Sequence, residues 1–324
     1  MKLTKEQLNE YDTIIVAFSG GKDSTASFLD ILETGIDKNK IELWHHDIDG
    51  RGNKFMDWNI TPNYCKKFAE AFNVNIYYSW KEGGFSREML RDNTPTAPTL
   101  FETPNHGVKK AGGKGKNNTR LKFPQVSGNL AVRWCSAYLK IDVCSIAIRN
   151  QERFDNKKIL LVSGERAEES AGRAKYAEFE PDRADNRDGK RNRHVDRYRN
   201  VHKWTEQQVW DIIKRHNVRV HPAYYIGWGR VSCASCIFGS KDQWATLYKI
   251  DREHVEKIIF YEKQFGVTIN RTKSIPQLIE EGTPYTNINE EHVKCALSEK
   301  YNKEIFMEDW VLPNGAFGES CGPT

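Results

Sequence analysis

The sequence predicts an α/β protein built on a doubly wound parallel sheet, with a smaller helical region towards its C-terminal end. Two observations carry this prediction. Short β-branched runs recur along the first part of the chain, and helical patterns lie between them. After about residue 220 the alternation stops, and helical patterns alone follow at 242–265 and 290–301. Strands that alternate with helices form parallel sheets, because each helix carries the chain back to the start of the next strand.

Each predicted strand is a short apolar run, the pattern of a strand buried on both faces of a sheet. The strands fall at 13–18, 41–44, 74–78 and 159–162, and helical patterns follow at 25–32, 64–72 and 140–149. A capping-box spacing at Thr4 and Gln7 predicts a further helix before the first strand. Ligands of such sheets bind beyond the carboxyl ends of the strands. We therefore expect 19–24, 45–47 and 163–166 to meet at one edge of the sheet.

The composition favours a soluble, cytoplasmic protein. The chain has 324 residues, a formal net charge of +5 and seven cysteines. An odd number of cysteines behind a polar N-terminal segment argues against a disulfide framework and against export. No apolar run approaches the length needed to cross a bilayer, so we expect no membrane partner.

The most specific motif is Ser19-Gly20-Gly21-Lys22-Asp23-Ser24, between the first strand and the first long helix. Glycines that adopt positive φ let an anion approach the backbone, and a helix N-terminus offers free N–H groups to it. The motif also supplies hydroxyl donors and an ammonium group. We therefore predict that Ser19, Gly20, Gly21, Lys22, Asp23 and Ser24 bind phosphate. The spacing fits neither the Walker pattern nor the dinucleotide pattern. The alternative is an ordinary glycine-rich turn.

Acidic residues follow the second predicted strand. Asp47, with Asp49 two residues further on, is predicted to hold Mg²⁺ near phosphates or to contact a ribose. The alternative is a solvated acid in a turn. The adjacent His45 and His46 are interpreted as structural.

A second candidate anion site follows the strand at 159–162. It contains Gly164, Glu165, Arg166 and Arg173. On a helix the two arginines, seven positions apart, would share a face. Guanidinium groups suit phosphate or sulfate oxygens better than ammonium groups do. The alternative is a salt-bridged surface helix.

Two charged segments interrupt the strand and helix pattern, at 92–128 and 176–200, and we predict that both are flexible basic inserts. Residues 105–124 contain six lysines and arginines and no acid. Such a segment can follow a nucleic-acid backbone, or can be a merely solvated loop. The predicted organisation is a nucleotide-binding domain over 1–220 and a helical region with a Cys-x-x-Cys motif over 221–324.

Three cysteines are candidate metal ligands: Cys135, Cys233 and Cys236. A lone Cys-x-x-Cys is ambiguous between a redox dithiol, a zinc site and iron–sulfur ligation. Three thiols would suit a [4Fe–4S] cluster with one open iron, whereas a fourth cysteine would close the site. Cys321, near the C-terminal end, is either a free thiol that reaches an active site or an idle residue.

Together these motifs resemble the phosphoadenosine phosphosulfate (PAPS) reductase family of pyrophosphate-loop ATP enzymes. The loop at 19–24 is similar to the first family motif, and 164–173 to its Gly-x-Arg…Glu-Ser…Arg motif. Trp204–Trp210 is similar to its Trp-Thr-x-x-x-Val-Trp helix start, and His221–Tyr224 to its downstream turn. The matching motifs span about two thirds of the chain.

Within that family, the single Cys135 and the basic inserts more closely resemble the ATP pyrophosphatase component of DNA phosphorothioate modification. The resemblance implies an enzyme that splits ATP into AMP and pyrophosphate, with Mg²⁺, to activate a substrate for sulfur incorporation. It implies catalytic roles for Lys22, Asp23, Arg166 and Arg173, and nucleotide binding by the loop, Asp47, Gly164 and Glu165. It also implies DNA, a cysteine desulfurase as sulfur donor and other modification proteins as partners.

Two alternatives belong to other classes. One is an adenylyl-sulfate or phosphoadenylyl-sulfate reductase that works with thioredoxin. This chain departs from the iron–sulfur reductases at Trp134-Cys135, where they carry a Cys-Cys pair, and around Cys321, where they carry Glu-Cys-Gly-Leu/Ile-His. The other alternative is a nucleic-acid-binding module with a structural zinc.

Overall fold

The computed structural model describes residues 2–52, 54–105, 107–231, 233–286 and 288–318. Within these ranges eight strands form one sheet, in the order β5-β4-β3-β2-β1-β6-β8-β7. The strands are β1 Thr13–Ala17, β2 Ile41–Asp47, β3 Asn75–Lys81, β4 Thr99–Glu102, β5 Val108–Ala111, β6 Lys158–Val162, β7 Phe179–Pro181 and β8 His194–Tyr198. The predicted α/β class is therefore confirmed.

The five central strands are parallel. β1 pairs in parallel with β2 on one side and with β6 on the other, and β3 and β8 extend the parallel part outwards. β4, β5 and β7 are antiparallel additions at the two edges. The chain proceeds from β1 towards one edge and then returns to β6. The strand order therefore reverses between β1 and β6, which is where open α/β sheets bind ligands.

Helices cover both faces of the sheet and form the region that follows it. They are α1 Lys5–Asn9, α2 Lys22–Glu33, α3 Thr61–Phe72, α4 Gly84–Met89, α5 Trp134–Ser136, α6 Asp142–Arg149, α7 Ala171–Ala174, α8 Glu206–Arg215, α9 Lys241–Ile250, α10 Arg252–Phe265, α11 Ile275–Glu281 and α12 Glu290–Leu297. Beyond β8 the described residues contain helices and loops but no further strand, as the sequence predicts. No helix in the described ranges combines the length and the apolar character needed to cross a bilayer.

The two interrupting segments are more regular than predicted. Residues 92–128 contribute β4 and β5, and residues 176–200 contribute β7 and β8. The charges of β8 find partners across the hairpin, since Arg197 Nη2 lies 2.6 Å from Asp182 Oδ2. Ion pairs of this kind allow a charged segment to join a sheet, and a sequence without apolar alternation does not reveal them.

Apolar side chains pack on both faces of the sheet. One face buries Val16, Phe28 and Phe68 beneath α2 and α3, and the opposite face buries Trp44, Leu161 and other side chains beneath α6. Because β1 and β6 are buried on both faces, their ends are fixed and can hold short polar loops in defined positions.

Candidate active site

The loop that follows β1 adopts a conformation that requires glycine. Gly20 has φ of +78°, and a Cβ there would lie 3.1 Å from Cys65 Sγ. Gly21 is the N-cap of α2, and no side chain caps that helix. Because the first N–H groups of a helix lack intrahelical partners, this N-terminus can bind an anion.

Hydroxyl groups complete the loop. Ser19 Oγ and Ser24 Oγ lie 3.2 Å apart, and Ser24 Oγ donates to the Gly21 carbonyl oxygen at 2.9 Å. The Lys22 N–H donates to the hydroxyl of Tyr224 at 2.8 Å. The loop is therefore held in shape by its own side chains and by the downstream turn before any ligand binds.

A cavity of about 500 Å³ opens over this loop. Its lining includes Ser19, Gly21, Asp23 and Ser24 from the loop, Trp44, His45 and His46 from β2, and Ser163, Gly164 and Glu165 after β6. The carboxyl ends of β1, β2 and β6 thus converge, as the sequence predicts. The volume lies in the range of small-molecule sites.

Lys22 and Arg166 do not line this cavity, which corrects their predicted contact with the ligand. Lys22 is buried, with Nζ 3.5 Å from Asp23 Oδ2 and 3.6 Å from Glu206 Oε1. Arg166 Nε donates to Asp23 Oδ1 at 2.6 Å, and Arg166 also pairs with Glu168. Both cations therefore hold Asp23 in place from behind the loop.

These partners also fix the charge of Asp23. Burial by itself raises the pKa of this carboxyl, but Lys22 and Arg166 outweigh burial, so its pKa lies below the ordinary value. Burial lowers the pKa of Lys22, yet Asp23, Tyr224 and Glu206 raise it above its ordinary value. The three groups form a charged network that orients the first turn of α2.

Gly164 lies directly against the start of α2. A Cβ on Gly164 would be 2.6 Å from the Asp23 carbonyl oxygen and 2.9 Å from the Ser24 nitrogen. Only a residue without a side chain allows this approach. The next residue, Glu165, lines the cavity and accepts from Arg199 Nε at 2.7 Å. Burial raises the pKa of Glu165, but Arg199 more than offsets this and lowers it overall.

Arg166 and Arg173 do not share one helical face, because the segment between them is not one helix. A 3-10 turn covers Ala167–Glu169, Ser170 is extended, and α7 begins only at Ala171. Arg173 lines the cavity and pairs with Glu169, whereas Arg166 is buried. Arg166 and Arg173 are both predicted to bind an oxyanion, but only Arg173 lines the cavity.

The cavity is also lined by four cations that the sequence does not single out as ligands: Arg133, Lys140, Arg197 and Arg230. Arg133 and Lys140 both line it, and neither forms an ion pair with any described residue. Lys140 lies in a π-helical turn, Ala137–Ile141, and such turns are frequent at functional sites. The only available signal is their spacing around Cys135, two residues after Arg133 and five before Lys140.

The predicted Mg²⁺ ligand Asp47 has a structural role. Its Oδ1 accepts from the Asp49 and Gly50 N–H groups, both at 3.1 Å. Asp49 Oδ2 accepts from the N–H groups of Phe55, Met56 and Asp57 at 2.8–3.0 Å. These carboxylates organise the loop that follows β2, and neither lines the cavity.

Asp57 does line the cavity, and the sequence offers no signal for it. Burial, with help from Asp49, raises the pKa of Asp57 to about 8. A carboxyl that keeps its proton near neutral pH can donate a hydrogen bond or a proton to a bound ligand.

The raised pKa of Asp57 predicts a pH-dependent stability. The unfolded chain ionises this group near pH 3.9, whereas the folded chain retains the proton up to about pH 8. Stability is therefore lost as the pH rises between these values, by at most about 1.4 kcal/mol per pH unit. We expect Asp57→Asn to unfold at higher urea concentration than the wild type at pH 8 and at a similar concentration at pH 4. Asp309→Asn, at an exposed acid, controls for the lost charge, and equal gains in both variants would contradict the expectation.

The three predicted cysteine ligands do not form a metal site in this arrangement. Cys135, Cys233 and Cys236 are free thiols. Across the described ranges, no group of three or more His, Cys, Asp or Glu side chains is placed to hold a metal ion. Burial raises the pKa of Cys135 to about 11 and that of Cys233 far above the ordinary value. Cys233 lines the cavity, and Cys321 lies outside the described residues.

Comparisons with known proteins give one family match and one relative. Residues 108–238 match the model of the phosphoadenosine phosphosulfate reductase domain. The match includes Cys135, the 164–173 segment and the Cys-x-x-Cys motif, and the loop at 19–24 precedes it. An uncharacterized 37.8 kDa protein in the gpa 5′ region of Escherichia phage 186 is 26% identical over 279 residues, which are 80% of this chain and 77% of that protein.

Among solved structures, this chain aligns with Candida glabrata FMN adenylyltransferase. The complex with FMN and the ATP analogue AMPCPP gives a TM-score of 0.39 at 12% identity, over 70% of this chain and 58% of that one. The complex with FAD and pyrophosphate gives 0.40 at 11% identity, over 71% and 59%. The alignment thus spans less than two thirds of the transferase.

Proposed function

We propose that this protein cleaves ATP to AMP and pyrophosphate and so adenylylates a substrate for sulfur incorporation, and the match of residues 108–238 to the phosphoadenosine phosphosulfate reductase domain supports the proposal. The observation that carries the proposal is the uncapped N-terminus of α2, which opens with Ser19, Gly21 and Ser24 into the cavity beside Gly164. This arrangement provides N–H groups, hydroxyls and a close backbone approach for a pyrophosphate group.

The cavity also offers a place for the rest of the nucleotide. Ala17, Trp44, Leu161 and Cys144 line it on the face of the sheet that packs against α6. An adenine base fits an apolar wall of this kind. With the base there and the phosphates at the loop, the α-phosphate would lie between them, in the cavity that Arg173 also lines.

In the proposed reaction, an acceptor oxygen attacks the α-phosphorus and pyrophosphate leaves. Negative charge develops on the phosphate oxygens, and fixed cations stabilise it. The cavity cations for this role are Arg133, Lys140, Arg173, Arg197 and Arg230. Asp57 is placed to exchange a proton with the acceptor. Lys22 and Arg166 act through Asp23, by keeping the first turn of α2 oriented.

Mg²⁺ would enter with ATP. Asp47 Oδ1 and Asp49 Oδ2 already accept N–H groups, so the phosphates and water would supply most of its ligands. The metal would neutralise charge on the leaving pyrophosphate. No group of three or more described metal-ligating side chains is arranged to hold a metal ion, so no step of this mechanism is assigned to a cluster.

The finer proposal is that the acceptor is a phosphate oxygen of DNA, as in phosphorothioate modification. Adenylylation turns that oxygen into a leaving group, and a sulfide equivalent then displaces AMP. The sulfur would come from a partner as a persulfide, the product of a cysteine desulfurase. The terminal sulfur of the persulfide attacks phosphorus and AMP leaves, and a second thiol then cleaves the S–S bond to leave the phosphorothioate and a disulfide. The basic segment at 105–124 supports a polyanionic acceptor.

The test is the product pattern from ATP labelled at the α-phosphate. We expect AMP and pyrophosphate from the wild type, and a rate lower by about 10- to 100-fold in Ser19→Ala and Ser24→Ala, because a hydrogen bond to a charged group contributes about 1.5–3 kcal/mol. Ser86→Ala, at a serine that does not line the cavity, is the matched control. Release of ADP, or of no product with or without DNA, would contradict the proposal.

The same preparation tests the reductase alternative, which the domain match supports. Adenylyl sulfate and phosphoadenylyl sulfate, given with thioredoxin, would yield sulfite if that alternative holds. Sulfite formation without pyrophosphate release from ATP would replace the proposed function.

A further inference from the structure

A run of exposed lysines lies along one edge of the protein. We define the basic strip as Lys109, Lys114, Lys116 and Lys122, which are all exposed and form no ion pair with any part of the chain that the structure describes. The neighbouring Lys110 differs, because its Nζ lies 2.7 Å from Glu82 Oε1. Nearby acids are also engaged elsewhere. Asp92 accepts from the Thr119 hydroxyl, and Glu102 from Arg51.

The strip belongs to a folded segment. Its first lysine is on β5, the outermost strand of the sheet, and β5 pairs with β4 over four residues. Further along, Thr94 and Asn118 form an antiparallel bridge, and the Arg120 N–H donates to the Arg91 carbonyl oxygen at 2.7 Å. The lysines are therefore presented from a defined backbone.

Arg120 connects the strip to the wall of the cavity. Its guanidinium carbon lies 4.3 Å from the ring centre of Trp134 and 4.8 Å from that of Tyr138, and its Nη2 lies 3.5 Å from buried Glu88. Trp134 and Tyr138 belong to the helical segment that carries Arg133 and Lys140. The chain then reaches the cavity within a few residues of the strip, since Gly128 and Leu130 line it.

We propose that the basic strip binds the phosphate backbone of a nucleic acid and leads it to the cavity at Leu130 and Arg133. The inference rests on the proposed function in one respect, namely that the acceptor is a nucleic-acid phosphate. The lysine on β5 can be explained without a ligand, because a charge on an edge strand prevents that strand from pairing with another chain. The other three lysines lie beyond β5, so this explanation does not cover them. Gly112, Gly113 and Gly115 lie among these lysines. Because glycine has no side chain, a nucleic-acid backbone can approach this part of the surface closely.

The number of lysines in the strip sets the expected salt dependence of DNA binding. Each phosphate contact contributes about −0.9 to the slope of log affinity against log salt for duplex DNA, so four contacts give about −3.6. Between 50 and 200 mM salt this slope corresponds to a loss of affinity of roughly 100-fold. Acidic protein surfaces do not release condensed counterions to this extent.

The experiment measures binding of a short fluorescent duplex to the full chain at several salt concentrations. The test variant changes all four strip lysines to alanine. The control variant makes the same change of charge at Lys241, Lys249, Lys294 and Lys300, which are exposed in the C-terminal helical region. We expect a slope near −3.6 for the wild type and the control, and a slope near zero in the strip variant, which lacks all four contacts. Thermal unfolding verifies that each variant is folded.

Three results would overturn the inference: an unchanged slope in the strip variant, no duplex binding by the wild type, or competition by poly-glutamate as effective as by DNA. The last would indicate an acidic protein partner instead. Pyrophosphate release from ATP is measured in parallel on the wild type, with and without the duplex, and its absence from both measurements counts as loss of that activity. If that activity alone is absent, the proposed function is wrong and nucleic-acid binding by the strip remains supported. If duplex binding alone is absent, the strip proposal is wrong and the proposed ATP cleavage remains supported.

Discussion

Gly164→Ala is expected to remove ATP cleavage almost completely and to destabilise the fold. The new methyl group would stand 2.6 Å from the Asp23 carbonyl oxygen, so either the loop after β6 or the first turn of α2 must move. Overpacking of this kind costs about 1–3 kcal/mol. A displacement of about 1 Å at a phosphate site lowers the rate by about 100-fold.

Urea unfolding and pyrophosphate release test this expectation together. Gly107→Ala is the matched control, because a Cβ there meets only Thr103 Oγ1, at an ordinary contact distance of 3.9 Å. The expected result is a lower unfolding midpoint and a lost activity for Gly164→Ala alone. A Gly164→Ala protein with wild-type activity would mean that the start of α2 is not where the phosphates bind.

Arg166→Met is expected to be the most destabilising change among the charged residues of the site. The methionine removes the partner of Asp23 Oδ1 and leaves a carboxylate that is 16% exposed beside Lys22. Breaking a buried ion pair by removing one partner costs about 3–5 kcal/mol. We expect the lower end of that range here, because Lys22 remains 3.5 Å from Asp23 Oδ2.

The pH dependence separates this effect from a packing defect. The folded-state pKa of Asp23 lies below its unfolded value of about 3.8. Its ion pair therefore stabilises the protein fully above that pH, and the contribution is lost as the pH falls through the folded pKa. The difference between wild type and Arg166→Met should shrink on acidification. Asp23→Asn combined with Arg166→Met should recover part of the loss, and a difference that is constant with pH would contradict the charge argument.

Local patterns were sufficient for the central strands and for the loop. The runs at 13–18, 41–44 and 159–162 appear as β1, β2 and β6, because a strand buried on both faces needs a continuous apolar run. The outer part of the sheet, including β5 and β8, lacks such runs and is not predicted by the sequence. β5 is short and lysine-rich, and β8 depends on ion pairs such as Arg197 with Asp182, which no periodicity encodes.

Only the tertiary structure shows what each charged residue of the site does. Arg166 and Arg173 are equivalent in the sequence, yet one is buried behind Asp23 and the other lines the cavity, because a turn separates them where a helix was predicted. Asp57 has no sequence signal, since its raised pKa comes from burial and from Asp49.

The sequence by itself therefore determined the α/β class and the glycine-containing turn between β1 and α2, because strand burial and helix N-termini are properties of contiguous residues. The tertiary structure decided which charged groups face the ligand and which hold the loop from behind. It also showed that Cys135, Cys233 and Cys236 are not arranged to hold a metal ion, although Cys236 is near enough to raise the pKa of the other two thiols. These outcomes depend on distances and burial between residues remote in the chain, which spacing along the chain does not fix.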